Sequence, residues 1–525
     1  MRDVLLEVEG LQLELGGRRV LDGVSFKVER GERLALVGAS GSGKSVTLFA
    51  LLGLLNLAPG AARARLEGGT AMLYLTHGEP GIELLRSNEE VMRSIRGRGV
   101  AMIFQEPMTA LNPLIPCGEQ VAESLGHLPL SEKEKNGRVM RLFEEVRLAE
   151  PQRIWKSYPH QLSGGQRQRV MIAMALAPEP ALILADEPTT ALDATTQQAV
   201  LLTLTELCVR RGTALIFVTH DHHVAHKVCE RFLHLSLGRV VTEPAPRAGS
   251  SRIESIVHAN PDRLHLVVSE LSCAAPDKPA QKILQDVSFA VSRGEALAIV
   301  GESGSGKSTL ARALLRLIPH QGSVRLGELE WSTLSPARLR RERHRMQLVQ
   351  QDAAAALNLR LTVAQTLEEP LRLRLESGTD RSGSVRQQAE DLLDAVQLPS
   401  RALQAFPHEL SGGQRQRVCI ARALAMRPEL IICDEAVAAL DPDLRLEILA
   451  LLTRLRNQLN VTILFITHDL GLARQLCEST LVLQHGRAVE HSNTHSVLHS
   501  PKAEYTQSLV DAASWADPDL LVLKT

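Results

Sequence analysis

Three things are missing from this chain, and each absence closes off a class of function. No charge of one sign dominates: 59 Lys and Arg stand against 60 Asp and Glu in 525 residues, so no whole-chain field draws in nucleic acid or an anionic membrane. Paired cysteines are missing too. The seven (Cys117, Cys208, Cys229, Cys273, Cys419, Cys433, Cys477) lie far apart with no Cys-x-x-Cys spacing. That argues against a zinc ribbon or redox pair and leaves buried thiols in a reducing cytosol. Nor is there a run of about 18 uncharged apolar residues, so no transmembrane helix is expected. The opening MRDVLLEVEGLQLELGG alternates apolar and charged residues like a strand and lacks the apolar core of a signal peptide. Any role at a membrane then runs through a partner.

What is present is written twice. LVGASGSGKS at 36–45 returns as IVGESGSGKS at 299–308, and PHQLSGGQRQRVMIAMALA at 159–177 returns as PHELSGGQRQRVCIARALA at 407–425. Ser163 and Ser411, Asp186 and Asp434, and His220 and His468 are each 248 residues apart. Three motifs in one register mean a duplicated domain. The loop lysines Lys44 and Lys307 are 263 apart, so the halves diverge between that loop and the LSGGQ motif; Gly- and Arg-rich sequence around 59–100 holds the extra residues as a surface elaboration. The reading is a first domain over 1–245, a Pro/Gly/Ser-rich linker over 246–262, a second domain over 263–490 and a tail over 491–525. Strand, glycine turn and long amphipathic stretch alternate in each half, the pattern of a P-loop α/β domain.

Gly38, Ala39, Ser40, Gly41, Ser42, Gly43, Lys44 and Ser45 fit G-x-x-x-x-G-K-[ST] between the strand-like RLALV and the helix-like VTLFALLGLL. Glycines let successive backbone N–H groups wrap a phosphate, and the helix that follows presents the positive end of its dipole. Lys44 is expected to reach the β- and γ-phosphates and Ser45 to ligate Mg²⁺. Gly301, Glu302, Ser303, Gly304, Ser305, Gly306, Lys307 and Ser308 repeat these roles. Downstream, ALILADEP reads as a strand ending in two carboxylates. Alternation is expected to turn Asp186 toward the metal and Glu187 toward an attacking water, as a general base. Asp434 and Glu435 carry the same pair. An acidic doublet alone is usually a solvated strand end; after a phosphate loop it is not.

With LSGGQ present twice, the chain resembles the ATP-binding-cassette (ABC) superfamily over nearly its whole length. The resemblance implies two tandem α/β ATPase domains, each a RecA-like core with an antiparallel β subdomain and a helical signature subdomain. It implies that Ser163, Gly164, Gly165 and Gln166 of one half close over the phosphate held by the other, as do Ser411, Gly412, Gly413 and Gln414, so that the fused halves form an intramolecular head-to-tail dimer. Gln105 and Gln351 resemble the Q-loop glutamines that sense Mg²⁺ and water, His220 and His468 the switch histidines, and Asp193 and Asp441 the D-loop aspartates. Both sites are expected to hydrolyse ATP.

Within the superfamily the chain resembles the peptide/nickel/opine importer ATPases. FQEPMTALNP (104–113), its echo LNLRLTV (357–363) and the tail PKAEYTQSL (501–509) carry that likeness. It implies two membrane permease subunits, an extracytoplasmic solute-binding protein, a place on the cytoplasmic face of the bacterial inner membrane and no nucleic-acid partner. The other reading is a soluble tandem ATPase acting on ribosomes or DNA, which typically carries a charged helical linker or zinc-binding insertions. Three departures stand out. Leu15 replaces the aromatic usual near that position, with no substitute near 275–283. Ala436 and Val437 replace Pro188 and Thr189 in the second half, where Ala353 and Ala354 also enter the Q-loop. The first half lacks the Tyr-Thr tail. His220, His222, His223 and His226 crowd one strand end, and His491, His495 and His499 are spaced for one helical face; both sets read as ordinary surface rather than metal sites. Residues 131–150 and 387–400 read as amphipathic helices of the signature subdomain.

Overall fold

In Arg33–Val37 the side chains alternate: Leu34 and Leu36 join one buried cluster, while Ala35 and Val37 are buried on the opposite face. A strand apolar on both faces belongs inside a parallel sheet covered on both sides, and the computed structural model places it there. The structure describes residues 3–520 apart from 40, 56–63, 77–78, 127, 190–191, 242–263, 276–277, 377–383, 439, 441 and 518–519. The chain divides into two compact units, 1–249 and 250–525. The expected linker, 246–262, lies outside the described residues.

The first unit contains ten strands among its described residues: β1 (Val4–Leu15), β2 (Arg18–Glu29), β3 (Arg33–Val37), β4 (Ala64–Leu73), β5 (Ile82–Glu83), β6 (Val100–Ile103), β7 (Leu182–Asp186), β8 (Ala214–Thr219), β9 (Arg231–Ser236) and β10 (Arg239–Val241). They form an antiparallel sheet in the order β2-β1-β4-β5 and a six-stranded sheet in the order β10-β9-β3-β8-β7-β6. The second sheet is parallel except for β10 at its edge. Leu5, Leu6, Leu21 and Val24 of the antiparallel sheet share one core with Leu34, Leu184, Ile216 and the helix Lys44–Leu51.

The second unit repeats this plan with β11 (Leu264–Ala275), β12 (Lys278–Ser292), β13 (Ala296–Val300), β14 (Gln321–Leu326), β15 (Leu329–Glu330), β16 (Met346–Val349), β17 (Leu430–Asp434), β18 (Thr462–Ile466), β19 (Ser479–Gln484) and β20 (Arg487–Asn493). Its sheets run β12-β11-β14-β15 and β16-β17-β18-β13-β19-β20, the same neighbours in the same relations. Here Leu297 and Ile299 face the antiparallel sheet, and Ala296, Ala298 and Val300 face a separate core made with the helices Val363–Glu376, Val385–Ala395 and Gly412–Ala425. Each unit is therefore an α/β core with an antiparallel sheet on one side and a helical region on the other. In the first unit, Glu132–Glu145 opens with a capping box in which Ser131 and Glu134 exchange hydrogen bonds. Val139, Leu142 and Phe143 form its buried face.

Two expectations need correcting. Part of the extra sequence at 59–100 is built into the sheet: β4 has ten residues against six in β14, and its added length pairs with β1 as far as Leu15 and Ala64. His491 is on β20, opposite Leu481, while His495 and His499 are on the short helix Thr494–His499, so the three do not share a helical face. Asn493 caps that helix and ends the strand two residues after His491. All seven cysteines are free and buried, and burial pushes the thiols of Cys208, Cys229 and Cys433 up to about 12.

Candidate nucleotide sites

Each β3-type strand delivers the chain into a loop that only glycine can close. A Cβ on Gly38 would fall 2.2 Å from the Leu235 carbonyl oxygen, and one on Gly301 would fall 2.2 Å from that of Leu483. Gly43 and Gly306 turn into the following helices with φ of 104° and 105°, a left-handed conformation costly for any other residue. Lys44 Nζ donates to the carbonyls of Gly38 (2.7 Å) and Ala39 (2.9 Å), and Lys307 Nζ to those of Gly301 and Glu302, both at 2.8 Å. Both lysines are buried, so each ammonium is held inside its own loop. The buried hydroxyls of Ser42 and Ser305 have no hydrogen-bond partner among the described residues. A buried polar atom left unpaired costs about 1–3 kcal/mol, and an oxyanion in the loop fits that need. Ser40 lies outside the described residues.

Ser45 Oγ donates to Asp186 Oδ1 at 2.9 Å, and Ser308 Oγ to Asp434 Oδ1 at 3.0 Å. Burial raises both aspartate pKa values, with the neighbouring glutamate adding to the rise and the serine hydroxyl opposing it. A hydroxyl and a desolvated carboxylate facing one another are hard oxygen donors, and Mg²⁺ fits them.

The strand ends at Asp186, and the adjacent glutamate is separated from it by more than strand alternation. Glu187 and Glu435 adopt φ of 42° and 48°, a left-handed backbone worth about 1–3 kcal/mol of strain in a non-glycine residue. Their N–H groups are pinned to the carbonyls of Val218 and Ile466, each at 3.0 Å. The twist sends each carboxylate toward two other loops. Glu187 Oε1 lies 3.0 Å from His220 Nδ1, and its Oε2 accepts from Gln105 Nε2 at 3.2 Å. In the second unit, Glu435 Oε1 lies 3.5 Å from His468 Nδ1, and Oε2 accepts from Gln351 at 2.8 Å. Burial pushes Glu435 up, but the hydrogen bond and charge of His468, with the charge of Lys307, override it and leave the carboxyl below its usual range. Glutamate, glutamine and histidine, far apart in sequence, thus meet in each unit.

The signature serines stand apart from this cluster, at the start of other helices. Ser163 and Ser411 have the same backbone angles (φ −66°, ψ 164°) and cap Gly164–Leu176 and Gly412–Ala425. Each hydroxyl accepts from the N–H of Gln166 or Gln414 at 3.3 Å, while those glutamine side chains accept from the serine N–H at 3.1 and 2.9 Å. This capping box was readable in S-G-G-Q as S-x-x-Q, and it gives Gln166 and Gln414 a structural role not foreseen in the motif. Asp193 caps the helix Ala194–Arg211, accepting from Thr196 N at 3.0 Å; Asp441 lies outside the described residues. Leu15 ends β1 and packs against the core. Of the crowded histidines, His222 stacks on His234, and the His226 ring lies tilted by 40° against that of Phe232. The tail residue Tyr505, whose hydroxyl accepts from the Glu302 N–H at 3.0 Å, was not singled out as a site residue by sequence reasoning. Tyr505 stood in the quoted tail motif, but its contact crosses 203 residues and leaves no local signal.

A family model described as ABC transporter matches residues 21–190 and 284–438. The glutathione import ATP-binding protein GsiA of Salmonella typhimurium strain LT2 is 37% identical, with 98% of this chain and 90% of that protein aligned. The protein of the same name from Escherichia coli strain K12 is 38% identical over 94% of this chain and 86% of its own length. Among solved structures, cbiO1 from Clostridium perfringens, described as part of the ABC transporter complex cbiONQ, is 25% identical, covers 49% of this chain and 97% of its own, and gives a TM-score of 0.41.

Proposed function

The chain belongs to the ABC transporter family and is an ATP-hydrolysing subunit within it; we propose that it drives import of a small peptide-like solute through permease subunits on other chains. The observation that carries this reading is the near-full-length likeness to proteins named for glutathione import, combined with a complete glutamate–glutamine–histidine set in each unit. Among the described residues no helix is long and apolar enough to cross a membrane, so the path for solute is assigned to partners. The likeness favours an importer over a soluble ATPase working on ribosomes or DNA.

The chemistry follows from the side chains. Lys44 and Lys307 carry charge to the β- and γ-phosphates, and the glycine loops supply N–H donors. Ser45 with Asp186, and Ser308 with Asp434, hold Mg²⁺, which neutralises developing phosphate charge when bound. Glu187 and Glu435 polarise the attacking water as general bases, a contribution of about 10²–10⁴-fold. His220 and His468 fix one carboxylate oxygen of that base, and Gln105 and Gln351 the other, so a change at the nucleotide reaches the Q-loops through one hydrogen bond.

The signature helices supply a second set of N–H groups. Their N-termini favour anions, and the proposal assigns Ser411 to the phosphate held by Lys44 and Ser163 to that held by Lys307. ATP then draws the halves together, and hydrolysis lets them part. Vanadate trapping followed by cysteine cross-linking tests the pairing. Position 44-side loop cysteines are expected to link to the 411 loop; linkage to the 163 loop instead sinks the sandwich. Co-purification tests the partners: permease chains and an extracytoplasmic binding protein are expected, while ribosomes or DNA overturn the importer reading. The place on the cytoplasmic face of the bacterial inner membrane belongs to the same proposal.

A further inference from the structure

The C-terminal tail is bound to the second phosphate loop, and nothing among the described residues of the first half reproduces it. The tail helix Glu504–Ala516 is held at its start by the buried Glu490 carboxylate, which accepts from the N–H groups of Lys502 (3.0 Å) and Ala503 (3.1 Å). Beyond its end, Arg474 donates to the Leu520 carbonyl at 2.5 Å. Arg474 belongs to the helix Leu470–Leu476, which starts two residues after His468. Thr506, Leu509 and Val510 are buried along the helix, and Tyr505 packs half-buried against the core. From there the Tyr505 hydroxyl accepts from the N–H of Glu302 at 3.0 Å.

At the repeat spacing of 248, Thr242 and His226 stand where Glu490 and Arg474 anchor the tail, and at the loop spacing of 263 Ala39 stands for Glu302. The chain has three tyrosines; the other two, Tyr74 and Tyr158, are in β-sheet and helical-region loops of the first unit. The first loop therefore has neither the tyrosine nor the anchors that would hold one.

We propose that Tyr505 is a positioning residue for the second nucleotide site: the tail helix, fixed at Glu490 and Arg474, braces the loop Gly301–Ser308 through the Glu302 N–H and ties it to the helix that follows His468. The inference rests on the reading of that loop as an ATP site. A loop held in its phosphate-binding shape loses less freedom on binding, so the brace acts on affinity. Turnover at saturating ATP is left nearly unchanged, because the Tyr505 hydroxyl acts on the backbone of the phosphate loop at Glu302.

The test uses the full-length chain in two backgrounds, Lys44→Ala to silence the first loop and Lys307→Ala to silence the second, titrated with a fluorescent ATP analogue and Mg²⁺. In the Lys44→Ala background, Tyr505→Phe is expected to weaken binding by about two- to tenfold, the range for one neutral hydrogen bond. In the Lys307→Ala background it is expected to change nothing. In the otherwise unaltered chain, Tyr505→Phe raises KM for ATP and leaves kcat within about twofold. Equal weakening in both backgrounds, or none in either, overturns the brace while leaving the ATP sites standing. No binding in either background overturns both readings. Should Tyr505→Phe lower the melting temperature by more than a few degrees, hydrogen exchange on the unaltered chain decides: amides of 301–306 are expected to exchange more slowly than those of 38–43, and equal rates overturn the proposal.

Discussion

In the first half Glu187 sits between Gln105 at 3.2 Å and His220 at 3.0 Å; in the second, Glu435 sits between Gln351 at 2.8 Å and His468 at 3.5 Å. The partners are the same and the strained φ nearly so, 42° against 48°. Around this shared cluster the halves part company. Pro188 and Thr189 give way to the buried apolar pair Ala436 and Val437, yet the chain makes the same turn, with Leu192 N bonded to Thr189 O and Leu440 N to Val437 O. Glu106 starts the first Q-loop helix without a side-chain cap, whereas Asp352 caps the second, accepting from Ala354 and Ala355. The backbone geometry that aims the glutamate has been kept in both copies, while the residues that hold the surrounding loops have changed. Duplication left the glutamate's setting alone and let its supports diverge.

The sharpest way to break that comparison is to remove one base at a time. The double change Glu187→Gln with Glu435→Gln is expected to lower ATP turnover by about 10²–10⁴-fold, the worth of a positioned general base. Each single change should remove at least half of the turnover, and nearly all of it if the two sites fire together. Phosphate release from the full-length chain measures this. A single variant that turns over at the unaltered rate shows that the geometric likeness of the two clusters does not extend to their work.

A second contrast lies beneath the signature motifs. A Cβ on Gly165 would fall 2.4 Å from Thr196 Cγ2, but one on Gly413 would meet Leu444 Cδ2 at 3.2 Å. Thr196 is β-branched, stiff at χ1, and held at the start of its helix, while Leu444 has other rotamers. Gly165→Ala is therefore expected to cost about 1–3 kcal/mol, the usual price of overpacking, and Gly413→Ala less than about 1 kcal/mol on the same scale. Urea unfolding midpoints of the two variants compare them directly; equal losses mean that the glycines are needed for a common reason rather than for their different neighbours.

What could be read from the sequence alone followed from spacing. A constant offset of 248 residues exposed the duplication, and G-x-x-x-x-G-K-S between an apolar strand and a helix exposed the loops. The approach of Ser45 to Asp186 was legible because a strand and a glycine loop have fixed reach. The left-handed backbone at Glu187 and Glu435 was not: no residue type announces it, and alternation along an ideal strand gave a simpler and incomplete reason for the separation from Asp186. His491 was misplaced because a spacing of four fits a helix as long as the strand before it goes unseen. Tyr505 was visible as a motif but silent as a contact, since its partner is fixed by the packing of the tail rather than by neighbouring sequence.

The smallest expected difference between the halves is in their response to acid. His265 is buried with Nε2 at 3.5 Å from Glu429 Oε2, too long for a good hydrogen bond, and Glu429 accepts from Arg345 at 2.5 Å. At the same places in the sheets, the first half has Leu5, Ala181 and Gly99. Burial holds the His265 pKa below its ordinary 6.5, with the charges of Arg293 and Arg345 helping and that of Glu429 opposing. Burial pushes Glu429 up, but its bond to Arg345 and the charges of Arg345, His265 and Arg293 override this and leave it below its ordinary 4.5. Both groups therefore take protons more readily when unfolded. The stability they contribute is whole above the unfolded values and is lost as pH falls: first from about 6.5, as unfolded His265 protonates, then from about 4.5 as Glu429 does. His265→Leu, which installs the residue of the first half, is expected to remove the first of these losses and leave the second. Unfolding of the full-length chain followed from pH 7.5 to 5 checks it: a variant whose stability still falls with the unaltered slope between about pH 6.5 and 5 places the acid response outside this cluster.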